Sequence, residues 1–194
     1  MEGEPGVNDS AARDDAALTS EILDFWFIEV GPDRWWQRSA DTDAAIIERF
    51  RDVWEAWRSR MPESFLGSPR EALAAVVLFD QFSRNMFRGH ADAYSTDPLA
   101  LAIARLAVDR GIDDALTPDE RSFLYMPFMH SEAIEDQRRS VALFTALGNA
   151  NSLDFAHKHH DIVERYGRFP ARNAVLGRPN RPGEESAIEM SRDW

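Results

Sequence analysis

The chain contains no cysteine and a single lysine, Lys158, among its 22 basic residues. The first absence excludes a disulfide framework, a thiolate nucleophile and a cysteine-ligated metal, and it fits a reducing cytoplasm. The second makes every other basic side chain an arginine. That bias arises equally from a GC-rich genome and from selection for bidentate anion contacts, so only clustering of arginines is informative. No run approaches the roughly 20 apolar residues needed to span a bilayer, and no membrane partner is expected. Residues 1–16 are acidic and small, without the basic and apolar regions of a secretory leader, and are expected to form a disordered tail. Basic charge is also short: 34 acidic residues leave a net charge of −12. A broad nucleic-acid surface is therefore excluded, while a confined basic site is not.

Alternating apolar and polar positions, the mark of a half-buried strand, are missing as well. What is present is helical. Ile46, Phe50, Val53 and Trp57 recur at helical spacing, as do Ala72, Val76, Phe79 and Met86, and then Leu99, Ile103 and Leu106. Ser68-Pro69, Asp97-Pro98 and Thr117-Pro118 are cap-plus-proline starts, two of them with a glutamate placed to close a capping box. Further helices are expected near 20–28, 118–129, 132–147 and 153–166, with a short one over 183–190 and Pro127 ending or kinking its segment. The 194 residues, 44% of them apolar, support a single all-α domain of antiparallel helix pairs over 17–190, about seven to eight helices, with residues 191–194 frayed.

Four groups of polar residues stand out from this helical background. Asp80, Arg84 and Arg88 follow at i, i+4 and i+8, with Gln81 and Asn85 as a second row, among Phe79, Phe82, Met86 and Phe87. His130 and Glu132 precede Asp136 and Gln137. Gln137 shares the apolar stripe of Ile134, Val141 and Phe144, and so faces inward. Glu132 and Asp136, four apart, make a like-charge pair that needs a cation or raises the Glu132 carboxyl, which would suit His130 and Glu132 to acid–base catalysis. His159 lies on the stripe of Phe155, Ile162 and Tyr166 and is read as an inward histidine. His157 with Asp161, or His160 with Glu164, has metal-compatible spacing but lacks a third ligand, and no metal or other cofactor is expected.

Residues 165–181 hold five arginines and no carboxylate. Arg168, Arg172 and Asn173 follow Gly167 on a turn stiffened by Pro170, which favours a preorganised contact with an anion. The same arginines could instead neutralise Glu132, Asp136 and Asp80 across the fold, and the residues alone leave both roles open. Trp35 and Trp36 follow Gly31-Pro32 in a loop, as core or as the wall of a pocket.

Leu23-Asp-Phe-Trp26, Asp80-Gln-Phe-Ser-Arg-Asn-Met-Phe-Arg-Gly89, Thr96-Asp97, Phe123-Leu-Tyr-Met-Pro-Phe-Met-His-Ser-Glu132, Asp136-Gln137 and Gly167-Arg-Phe-Pro-Ala-Arg-Asn-Ala-Val-Leu-Gly177 resemble, in order, the bacterial DUF924 family, a group without a known reaction. The resemblance covers about residues 20–190 and implies a tetratricopeptide-like α-α superhelix. Ser83 stands where proline is expected and Ala171 where histidine is; if that histidine is catalytic in relatives, this chain binds without turnover. The resulting expectation is a protein, enzyme or binder, whose pocket for a small carboxylate or phosphate is lined by Arg84, Asn85, Arg88, His130, Glu132, His159, Arg168, Arg172 and Asn173. The alternative is a helical module that binds a segment of another protein.

Overall fold

A computed structural model describes residues 8–190, and the described residues are helical, with no strand among them. Helix α1 (Asn8–Asp24) begins inside the segment expected as a tail; residues 1–7 and the terminus expected to fray lie outside the described residues. It runs into a π-helical turn, Phe25–Val30, closed by Gly31, whose φ of 70° needs a residue without a Cβ. Helix α2 (Ala40–Trp57) starts at Ser39, whose hydroxyl accepts the Thr42 N–H. Helix α3 (Pro69–Val76), the π-helical turn Val77–Phe82 and α4 (Ser83–Met86) form one continuous rod. Helices α5 (Asp97–Asp109), α6 (Pro118–His130), α7 (Ile134–Leu147) and α8 (Ala150–Tyr166) follow, and α9 (Glu185–Met190) is the short helix expected near the C-terminus.

Two of the three expected N-caps form, and the expected capping box closes at one of them. Ser68 accepts the Glu71 N–H, and Thr117 and Glu120 make a reciprocal capping box. The third is different: α5 starts at Asp97, but Thr96 makes no side-chain cap and instead donates to the Phe79 carbonyl at 2.7 Å while accepting Trp54 Nε1. Asp97 is thereby left for other work. Pro127 does not stop its helix at once, since α6 continues to His130.

Neighbouring helices pack in sequence, α1 on α3, α3 on α5, α5 on α6, α6 on α7 and α7 on α8, with α2 against α4. Helices α3 and α5 are in contact, and both are rich in fully buried alanine, Ala72, Ala74 and Ala75 on α3 and Ala100, Ala104 and Ala107 on α5. Small side chains let the two axes approach closely, which draws the π-helical turn of the rod and the start of α5 together. The core beside them is aromatic, with Phe50 and Phe82 4.9 Å apart and Phe25 edge-on to both. Each such ring contributes about 1.5–3 kcal/mol by leaving water.

Candidate functional site

Asp80 sits in the π-helical turn and is fully buried. A π turn widens the helix by one residue and re-aims its side chains, and Asp80 meets the C-terminal end of α6. There His130 Nδ1 lies 2.8 and 3.0 Å from the two carboxylate oxygens. Gln81 Nε2 donates to the same carboxylate at 2.6 Å and to Met126 Sδ. Burial alone would raise the Asp80 carboxyl, but the Arg84 guanidinium and then His130 and Gln81 hold it well below the usual range. An ionised carboxylate only accepts, so His130 Nδ1 carries the hydrogen and Nε2 is left with its lone pair. Burial pushes the His130 pKa down, the Asp80 charge partly restores it and Arg84 pushes it down again, so the ring is neutral near pH 7.

Asp97, freed from capping, takes Arg84 in a two-point contact at 2.9 and 3.1 Å. Arg84 also reaches Asp80 at 3.3 Å, and these two carboxylates raise its pKa despite burial. Arg172 arrives from the turn Pro170–Arg172 and meets the same Asp97 through one long contact of 3.4 Å. Its guanidinium lies between the Tyr94 and Phe169 rings, 4.7 and 4.5 Å from their centroids. Burial and the neighbouring Arg84 cation lower the Arg172 pKa, and Asp97 only partly offsets them. His159 completes the cluster 6.1 Å from the His130 ring and edge-on to Phe169. Its Nδ1 bonds the Phe155 carbonyl, and burial, with His130 next, holds its pKa down to about 3.

The structure therefore brings together Asp80, Gln81, Arg84, His130, His159 and Arg172, and it places the other expected residues elsewhere. Asn85 and Arg88 both bind Asp43 on α2, at 2.7 to 2.8 Å. Arg168 makes a two-point contact at 2.8 Å with buried Glu184, and Asn173 donates to the same carboxylate at 2.9 Å. Glu132 accepts the Phe169 N–H at 2.8 Å and both ends of the Arg178 guanidinium at 2.6 and 2.9 Å. The expectation that Asp136 raises the Glu132 carboxyl is corrected here. Helix α7 starts at Ile134, so Glu132 lies in the linker rather than four residues below Asp136 on one face. Burial would raise the Glu132 carboxyl, but Arg178 and the Phe169 N–H pull it below its ordinary value. Asp136 binds Arg105 and accepts the Ser131 hydroxyl at 2.6 Å. Gln137, fully buried, donates to the carbonyls of Met129 and Ser131 at 2.7 and 2.6 Å and so closes the end of α6. His160, Asp161 and Glu164 gather within 4.8 Å on α8, with the two carboxylates exposed.

Asp97, Tyr94 and Phe169 are the members of the cluster that the residue patterns did not single out. For Asp97 a signal existed, since Thr96-Asp97 belongs to the motif series, but capping explained the pair too easily. The profile of the family described as "Bacterial protein of unknown function (DUF924)" matches residues 22–191. A solved structure of a protein of unknown function from Agrobacterium tumefaciens is similar at 43% identity, with a TM-score of 0.85, over 92% of this chain and 100% of that one. No curated protein matches.

Proposed function

We propose that this chain, which belongs to the DUF924 family of bacterial proteins of unknown function, binds a small carboxylate or phosphate at Arg172 and moves a proton to or from it through His130. The observation that carries the reading is the state of Arg172. It is a guanidinium held between two rings, and its carboxylate partner, at 3.4 Å, is already engaged at both oxygens by Arg84. Most of its donors are therefore unspent, and an anion would satisfy them. Beside it stands an imidazole that is neutral, oriented by a buried carboxylate and equipped with an acceptor nitrogen, the arrangement a general base requires. When His130 Nε2 accepts a proton, the Asp80 charge stabilises the imidazolium that forms. Glu132, bound on both sides, serves to position the Arg172 turn. The helix pairs supporting the site would coil in the manner of tetratricopeptide arrays.

The test is an NMR titration of the His130 imidazole in the presence of inorganic phosphate, acetate and succinate. An anion beside His130 favours the charged ring, so one or more of them should raise its pKa, and Arg172→Met should abolish the rise. If none of them moves the ring's titration in a folded protein, the reading fails.

A further inference from the structure

Away from the Arg172 cluster, at the other end of α6, a cavity of about 180 Å³ opens beneath Trp36. We propose that it is a binding site for a neutral, hydroxylated ring of monosaccharide size. Three segments build it: the loop after Gly31, the first half of α6 and the start of α8, and its lining includes Trp35, Trp36, Asp119, Phe123, Asn149 and Asn151. The loop is anchored, because Trp35 Nε1 donates to the Trp26 carbonyl at 2.8 Å and Arg34 Nε to the Val30 carbonyl at 3.0 Å. Phe123 forms the floor at 1% exposure, with Trp35 edge-on at 4.9 Å and Trp36 parallel to it within 7°. Trp36 itself is 63% exposed, so a large flat ring is presented to solvent at the mouth of a preformed cavity.

The charges around the cavity narrow the ligand. Among the described residues no Lys, Arg or His lines it, and Asp119 contributes a carboxylate that offsets the attraction of the α6 and α8 starts for an anion. A cation is disfavoured too. The first turns of α6 and α8 both border the cavity, and their dipoles repel positive charge. Caging an ammonium also requires several open aromatic faces, whereas Phe123 is covered. What remains is an uncharged ligand with one apolar face for Trp36 and hydroxyls for the rim. The rim offers both kinds of partner: Asp119 accepts, Asn151 donates and accepts, and Asn149, whose Oδ1 is spent on the Ser152 N–H, keeps an NH2 to donate. The volume falls below the roughly 300–1,000 Å³ of sites for drug-sized ligands, which limits the occupant to a single ring.

This proposal does not rest on the anion reading. Phe123 and His130 are seven residues apart on α6, or roughly 10 Å along its axis. Saturation-transfer NMR with glucose, galactose and N-acetylglucosamine, alongside intrinsic tryptophan emission, tests the proposal on the full chain. At least one sugar should receive saturation on the C–H face of its ring and shift the emission saturably. Because Trp36 is exposed, Trp36→Ala should fold normally and abolish both signals, while Asn151→Ala should weaken binding roughly tenfold, the equivalent of about 1.4 kcal/mol. The response of His130 to phosphate should be the same in Trp36→Ala as in the parent protein. The proposal is overturned if no neutral sugar receives saturation, if Trp36→Ala binds as well as the parent, or if choline occupies the cavity in preference to the sugars.

Discussion

An imidazole buried beside guanidinium groups is a liability in acid, and His159 is the clearest case in this molecule. Burial, then His130 and the Arg172 and Arg84 cations, bring its pKa from 6.5 down to about 3 in the fold. The unfolded chain therefore binds a proton that the folded chain refuses, and stability must fall as pH drops below the unfolded value of 6.5. One proton's difference costs about 1.4 kcal/mol per pH unit, so roughly 2 kcal/mol should be lost on going to about pH 5. The lowered pKa of His130 adds to the loss in the same direction. A second decline should begin below about pH 4, where the carboxyls of Asp80, Glu132 and Glu184, all depressed in the fold, take up protons that the native pairs oppose. Urea midpoints measured across this range check both windows. His159→Gln should flatten the first decline and leave the second, and an unchanged first decline in that variant would place its origin elsewhere. The inward position of His159 was legible because it shares a stripe with Ile162. Its low pKa was not, because the burial that chiefly lowers it, and then His130, Arg172 and Arg84 beside it, are brought about by the packing of distant parts of the chain.

At the scale of the element, the site depends on how two helices are interrupted. In the rod from Pro69 to Met86, the π turn aims Asp80 at His130, and the Ser83 hydroxyl closes on the Phe79 carbonyl at 2.6 Å. The apolar spacing of Ala72, Val76, Phe79 and Met86 is compatible with a plain α-helix, so the extra residue of the π turn could not be read from periodicity. The starts at Ser68 and Thr117 could be, since capping is a local matter of one hydroxyl and an N–H three residues on. The end of α6 is the reverse case. Pro127 cannot donate to the carbonyl four residues before it, and the last carbonyls of the helix have no onward helical partners. Gln137 supplies a donor to them from the next helix. Gln137→Leu, close in volume, leaves those buried carbonyls unsatisfied and should cost about 1–3 kcal/mol. Because His130 is the last residue of α6, the same variant should broaden its imidazole resonance, while Arg88→Ala, at a half-exposed pair, should cost no more than about 1 kcal/mol. A Gln137→Leu protein as stable as the parent would show that α6 ends without this cap.

Across the whole molecule, the arginines concentrated near the C-terminus reach carboxylates far apart in the sequence, and they do so unequally. Arg168 neutralises Glu184 16 residues away and Arg178 neutralises Glu132 46 residues away, whereas Arg172 reaches Asp97 across 75 residues with a single contact. The clustering was visible in the sequence; the choice between ligand and protein carboxylate was not, because each partner is set by the packing of distant helices. The arrangement has a mechanical consequence. Arg172 lies between the two bound arginines, so the clasps at Glu184 and Glu132 fix the turn that delivers it to the cluster. Glu184→Ala leaves Arg168 without its carboxylate and Asn173 without one of its two acceptors, while touching nothing around His130. Segment 178–190 should then be cut faster by a glutamate-specific protease, with Glu185 and Glu189 as new sites, and the phosphate-induced shift of His130 should weaken in step. Asp43→Ala breaks the contacts to Asn85 and Arg88 and should change neither quantity. If Glu184→Ala speeds proteolysis and leaves the His130 response intact, the clasp holds only the C-terminal segment. If it alters both, the placement of Arg172 is a property of the folded whole rather than of its own turn.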